Sequence, residues 1–64
     1  MKIVLNGEAR ETAATTLAEL LVETGQDGRV ATAVNENFVP AALRAGHALR
    51  DGDRVEVVAP MQGG

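Results

Sequence analysis

Apolar and polar positions alternate from the first residues of the chain: Ile3 and Leu5 alternate with Lys2 and Asn6 over a β-branched stretch, and Asn6-Gly7 follows at once. An Asn-Gly pair is a two-residue hairpin signal because both central positions of such a turn need positive φ. The pattern predicts a first strand over residues 1–6. Its return, over 8–12, is polar and rich in charge, as suits an edge strand that must not pair with other chains. Thr16-Leu17-Ala18-Glu19 fits a capping box, in which the threonine hydroxyl and the glutamate carboxylate each satisfy a backbone N–H left free at a helix start. Leu17, Leu20 and Leu21 then share one face at i, i+3 and i+4, Glu19 and Glu23 point elsewhere as a solvated face, and Gly25 is placed to end the helix in the left-handed conformation. So short a helix is marginal in isolation and needs its leucine face buried against a sheet.

After the polar loop Gln26-Asp27-Gly28-Arg29, the uncharged run from Val30 to Val34 reads as a strand covered on both faces, or nearly so. Asn35-Glu36-Asn37 makes a turn, and Phe38-Val39 forms a very short strand that Pro40 stops by removing a donor. Residues 41–45 suit a single helical turn closed by Gly46 and anchored by Leu43. Leu49 is expected to pack inward before Asp51-Gly52-Asp53, a tight turn with glycine where positive φ is required. Two carboxylates beside one glycine offer too few convergent oxygens for calcium or magnesium, so no metal site is read there.

The last strand, over 54–59, puts Val55 and Val57 on one face and Glu56 and Val58 on the other, and Pro60 then releases the chain into Met61-Gln62-Gly63-Gly64. The sum is ββαββ: an α+β domain over residues 1–59, with one helix packed across a mixed sheet of four to five strands, and a flexible Gly-Gly tail over 60–64. A hairpin, a crossover helix and a final strand returning to the centre of the sheet describe the ubiquitin-like β-grasp arrangement. The predicted core is Ile3, Leu5, Leu17, Leu20, Leu21, Val30, Val34, Leu43, Leu49, Val55 and Val57.

Composition narrows the chemistry. The chain has 64 residues, 45% of them apolar, and a single aromatic, Phe38. That is one small domain whose core must come from aliphatic side chains. No cysteine is present, which excludes disulfide stapling, a thiolate metal site and the side chain most often used as a sulfur nucleophile. The net charge is −3 and the basic residues are scattered, so no basic patch for nucleic acid is seen. The first residues turn polar too early for a signal peptide, and no run approaches a membrane span. A soluble, cytoplasmic monomer is expected. His47 reads as an exposed loop histidine with no second ligand or nucleophile at useful spacing, and neither a catalytic triad nor a phosphate-cradling loop is present.

The candidate chemistry therefore lies in the last residues. With no Cβ, Gly63 and Gly64 can thread a channel too narrow for other side chains, which is useful if the carboxyl group after them is the reactive group.

Asn6-Gly7, Thr16-Leu17 with Glu19-Leu20-Leu21, Val34-Asn35, Val39-Pro40, Asp51-Gly52-Asp53 and Gly63-Gly64, in this order and spacing, resemble the ThiS family of sulfur carrier proteins of thiamin (thiazole) biosynthesis, within the wider ThiS/MoaD ubiquitin-like superfamily. The resemblance covers essentially the whole chain. One departure is Ala41, which stands directly after Val39-Pro40 where many members carry a basic residue that a partner could contact.

The resemblance implies a protein co-substrate, not an enzyme. Gly64 would be adenylated by an ATP-dependent adenylyltransferase of the ThiF type. A persulfide or sulfide donor would then convert it to a thiocarboxylate, the sulfur nucleophile for a ThiG-type thiazole synthase. ATP and magnesium would act in the activating partner, with no cofactor bound by this chain. Gly63, Gln62 and Met61 would thread that partner's active site. For docking, Val4 and Val58 have the opposite parity from the core and are expected side by side on the outer sheet face, near where Met61 leaves. Phe38 is divided between core and docking patch. Three other readings stay open: a carrier for another pathway (molybdopterin or sulfur amino acid), a ubiquitin-like protein modifier joined to lysine through Gly64, and an interaction module with an incidental Gly-Gly.

Overall fold

In the computed structural model, which describes residues 1–26 and 28–59, strands β1 (Lys2–Leu5) and β2 (Glu8–Glu11) form an antiparallel hairpin that pairs Lys2 with Glu11 and Leu5 with Glu8. Its turn has Asn6 at φ 50° and Gly7 at φ 85°, the positive pair that the sequence predicts. Helix α1 (Leu17–Glu23) follows, with the Thr16 hydroxyl accepting from the Glu19 N–H at 3.2 Å. The other half of the capping box is shifted by one residue. Glu19 Oε1 takes its bonds from the Thr15 N–H and the Thr15 hydroxyl, both at 2.8 Å. At the far end Gly25 adopts φ 74°, and the Gly25 and Gln26 N–H groups return to the Val22 and Leu21 carbonyls, closing the helix as expected.

Strands β3 (Ala31–Val34) and β4 (Asn37–Val39) make a second antiparallel hairpin through Asn35 at φ 50° and Glu36 at φ 72°. A 3₁₀ helix, Ala41–Gly46, and the Asp51-Gly52-Asp53 turn then lead into β5 (Arg54–Val58). The sheet order is β2-β1-β5-β3-β4, parallel only between β1 and β5. The last strand in sequence is therefore the middle strand in space.

One face of the sheet carries the core. Ile3, Leu17, Leu20, Leu21, Val34, Leu49, Val55 and Val57 are buried as predicted, Leu5 and Val30 pack partly buried against them, and Ala14 and Val39 join them unforeseen. Leu43 does not. It is 60% exposed, and Arg44 turns inward instead, its Nε donating to the Thr32 hydroxyl at 3.0 Å and a terminal nitrogen donating to the Val30 carbonyl. In a helix of three residues per turn, neighbouring residues face a third of a turn apart. Turning Arg44 inward therefore turns Leu43 outward.

Two further expectations change. β3 is covered on one face only, since Thr32 and Val34 are buried while Ala31 is exposed; small uncharged side chains suit an open face as well as a closed one. Glu23 is not a freely solvated carboxylate. It accepts from the buried Thr12 hydroxyl at 2.9 Å and from the Ala13 N–H at 3.3 Å, and it pairs with Arg10 at 3.6 Å. This cluster fastens the end of α1 to the segment that leaves β2.

Candidate functional site

The predicted reactive and threading residues, Gly64, Gly63, Gln62 and Met61, lie outside the described residues, as does Pro60. The structure defines the platform from which they extend. β5 is paired on both sides: Val4 and Leu5 of β1 lie opposite Arg54 and Val55, and Ala31 to Val34 of β3 lie opposite Val58 to Val55. The chain therefore leaves the sheet at Val58 and Ala59 from the middle of the molecule.

Two asparagines hold β5. Asn35 Oδ1 accepts from the Arg54 N–H at 2.9 Å, its own N–H donates to the Arg54 carbonyl at 2.7 Å, and its Nδ2 donates to Asp53 at 3.0 Å. Asn6 does the same work at the other end, with Oδ1 accepting from the Val57 N–H at 2.8 Å and Nδ2 donating to the Val57 carbonyl at 3.2 Å. Sequence reasoning saw both residues only as turn formers or family markers. The available signal was the use of asparagine, which alone among residues that tolerate positive φ carries a donor and an acceptor on one short side chain.

The outer face of the sheet grades from apolar to charged. At the end where β5 leaves, Val58 is 61% exposed and lies opposite Ala31, which is also exposed. In the next row Glu56 and Phe38 flank Ala33, and Phe38 is 68% exposed, which puts it on the outer face and not in the core. At the far end Arg54 pairs with Glu36 at 3.6 Å. Val4 shares this face but is half-buried and sits opposite Arg54, four residues back along β5 from Val58. Four residues of strand are about 13 Å, so Val4 and Val58 are not the side-by-side pair that parity suggested. Parity fixes the face; the parallel register fixes the distance.

Three other carboxylates are engaged in local structure. The Asp51 carboxylate accepts from the Lys2 N–H at 2.8 Å, and Asp53 accepts from the Arg50 N–H at 2.8 Å and from Asn35. Glu19 is held below the usual carboxylate pKa, first by the bond from the Thr15 N–H and next by that from the Thr15 hydroxyl. His47 is half-buried, not an exposed loop residue, because its backbone joins the 3₁₀ helix to the start of α1: its N–H donates to the Arg44 carbonyl and its carbonyl accepts from Leu17. Among the described residues no helix is long and apolar enough to cross a membrane.

A mixed five-stranded sheet with its last strand in the middle and a single α-helix across one face defines a ubiquitin-like β-grasp domain. The geometry agrees with that of a thiamine biosynthesis protein (ThiS) from Geobacter metallireducens, whose crystal structure superposes with a TM-score of 0.83 at 25% identity over 100% of both chains. The ThiS family profile matches residues 3–64, and the chain belongs to the ThiS family. It is 48% identical over 61 residues to the sulfur carrier protein ThiS of Thermus thermophilus, covering 94% of this chain and 95% of that protein. It is also 46% identical over 66 residues to a thiazole synthase of Paramagnetospirillum magneticum; this alignment takes in 100% of the chain, which spans only 20% of that larger protein.

Proposed function

We propose that this chain is a sulfur carrier of thiamin biosynthesis, a co-substrate for partner enzymes, and that its Gly64 carboxylate is the group that carries sulfur. The observation that supports this most is the ThiS family match, which spans residues 3–64 and so takes in Gly63-Gly64. The relative named sulfur carrier protein ThiS, similar over nearly its whole length, supports the same reading, and the similarity to a thiazole synthase favours thiazole formation over other sulfur acceptors.

The chemistry is that of an activated acyl group. An α-carboxyl group with an ordinary pKa of about 3.3 to 3.7 is ionised at neutral pH, so it is an oxygen nucleophile and a poor electrophile. Attack of this oxygen on the α-phosphorus of ATP, in a ThiF-type adenylyltransferase that holds the nucleotide and its magnesium, forms an acyl-adenylate and releases pyrophosphate. A sulfide or persulfide sulfur then attacks the carbonyl carbon and AMP leaves; a persulfide adduct is completed by reductive cleavage of its S–S bond by a thiol. The product is a thiocarboxylate whose sulfur can be passed to a thiazole synthase. Residues 60–64 reach at most about 17–18 Å, enough to enter a recessed site from a body docked through the Val58 face.

The test is mass spectrometry of the C-terminal peptide after incubation with ATP, a ThiF-type enzyme and sulfide, with and without a thiol-alkylating reagent. Alkylation is needed because exchange of oxygen for sulfur and oxidation of Met61 to its sulfoxide change the mass almost equally. An ATP-dependent, alkylatable group at Gly64 is expected. An unmodified Gly64 with a competent enzyme would remove the proposal, and higher-mass lysine conjugates in cells would replace it with a protein modifier.

A further inference from the structure

Along β5, the backbone groups of Asp53, Val55 and Val57 turn toward β1, and those of the intervening residues turn toward β3. The Val4 N–H donates to the Asp53 carbonyl and the Asn6 N–H to the Val55 carbonyl, each at 2.9 Å. β1 then ends, because the chain turns away at Asn6-Gly7. No residue of β1 remains to pair with Val57. The Asn6 side chain fills that position with both of its polar atoms, Oδ1 on the Val57 N–H and Nδ2 on the Val57 carbonyl. A primary amide thereby continues the parallel ladder by one residue past the end of the strand.

The side-chain requirement is narrow. Aspartate has no donor for the carbonyl and glycine has no side chain, and other residues with an amide or hydroxyl tolerate the φ of 50° poorly.

Val57 is two residues before Ala59, and the seven residues that follow Val57 reach at most about 25 Å. Among the described residues, the Asn6 amide is the last tie on the β1 side of β5 before the chain leaves the sheet at Ala59. Misplacement of a reacting group by about 1 Å can cost about a hundredfold in rate. We infer that Asn6 is a positioning residue for the C-terminal residues: its side chain sets the direction in which the chain leaves the sheet and so speeds delivery of Gly64 to the activating enzyme. This inference rests on the sulfur-carrier reading above.

Asn35 supplies a matched control. It has the same φ of 50°, sits in the other hairpin turn and binds the β5 backbone through its Oδ1, which accepts from the Arg54 N–H at the end remote from the exit, while its Nδ2 donates to the Asp53 carboxylate. Asn6→Gly and Asn35→Gly each remove one amide and keep a residue for which positive φ carries no strain. Both variants are compared with wild type by amide hydrogen exchange and by steady-state charging with ATP, sulfide and a ThiF-type enzyme already shown to charge its own carrier.

Asn6→Gly is expected to speed exchange at Val57 at least about tenfold while the amides of α1 keep their protection. Its kcat for charging is expected to fall about tenfold with KM within about twofold, because the outer face that docks is untouched. Asn35→Gly should leave kcat and KM within about twofold of wild type. Asn6→Asp, which keeps the acceptor for the Val57 N–H and sets a carboxylate against the Val57 carbonyl, should lie between, and it carries the test if Asn6→Gly does not fold. An unchanged kcat in the folded Asn6 variants, or an equal loss in Asn35→Gly, overturns the positioning role. Wild-type protein that is not charged at all sinks the carrier reading and delivery along with it, and the Val57 exchange rates then separately decide whether Asn6 holds the strand end.

Discussion

Thr32 is 1% exposed, and its hydroxyl donates to the Val39 carbonyl at 2.7 Å while accepting from Arg44 Nε at 3.0 Å. One small side chain thus joins β3, β4 and the 3₁₀ helix. Thr32→Val keeps the shape and leaves a buried carbonyl and a guanidinium N–H without this partner. A loss of about 1–3 kcal/mol is expected, seen as a lower urea midpoint at unchanged m-value. Glu19 makes a pH-dependent contribution whose sign follows from its lowered pKa. The unfolded chain binds the proton more tightly than the folded one, so stability rises with pH between the two pKa values. The contribution is complete above the unfolded value and is lost as pH falls through the folded value. Urea midpoints of wild type and Glu19→Gln should therefore differ most at neutral pH and converge under acid conditions.

At the scale of elements, α1 has only seven residues, too few to be stable without the sheet. Its buried leucines hold it there. Leu20→Ala, in the centre of the core, should cost about 2–5 kcal/mol, whereas Leu43→Ala on the exposed side of the 3₁₀ helix should stay within about 0.5 kcal/mol. In a domain of this size each kcal/mol moves the melting temperature by about 4–8 °C, so two thermal melts check the pair. The two edge strands are protected differently. β2 is short, charged and wholly exposed, and β4 has three residues and is followed by Pro40, which offers a neighbouring chain no donor.

For the whole molecule, the placing of β5 in the middle of the sheet joins the fold to the proposed chemistry. β3 on one side and the Asn6 side chain on the other hold the root of the C-terminal residues, and the apolar part of the outer face, Val58 with Ala31, lies beside that root. If this face docks the activating enzyme, Val58→Asp should raise KM for charging with little change in melting temperature, and Val4→Asp, about 13 Å away along the sheet, should raise it less. Equal effects would locate the contact elsewhere. Gly64→Val should abolish charging, read by alkylation and mass spectrometry, and leave the urea midpoint unchanged; a normally charged variant would remove the threading argument.

The sequence by itself determined the elements and their faces: the two positive-φ turns, the Thr16 cap, the leucine stripe and the alternation of β5 are local patterns set by backbone sterics and by periods of 2.0 and 3.6 residues. It also carried the order of motifs that made the family legible. Only the tertiary structure decided which strand positions stand opposite one another, because the offset between β1 and β5 is fixed by the whole crossover and not by either strand; hence the separation of Val4 from Val58. It decided Phe38 and Leu43 as well, since a three-residue strand and a six-residue 3₁₀ helix are too brief for a period to show which side is buried. And it alone turned Asn6 and Asn35 from turn residues into clasps on β5, because a side-chain hydrogen bond across about 50 residues, such as that from Asn6 to Val57, exists only after the chain has brought its two ends together.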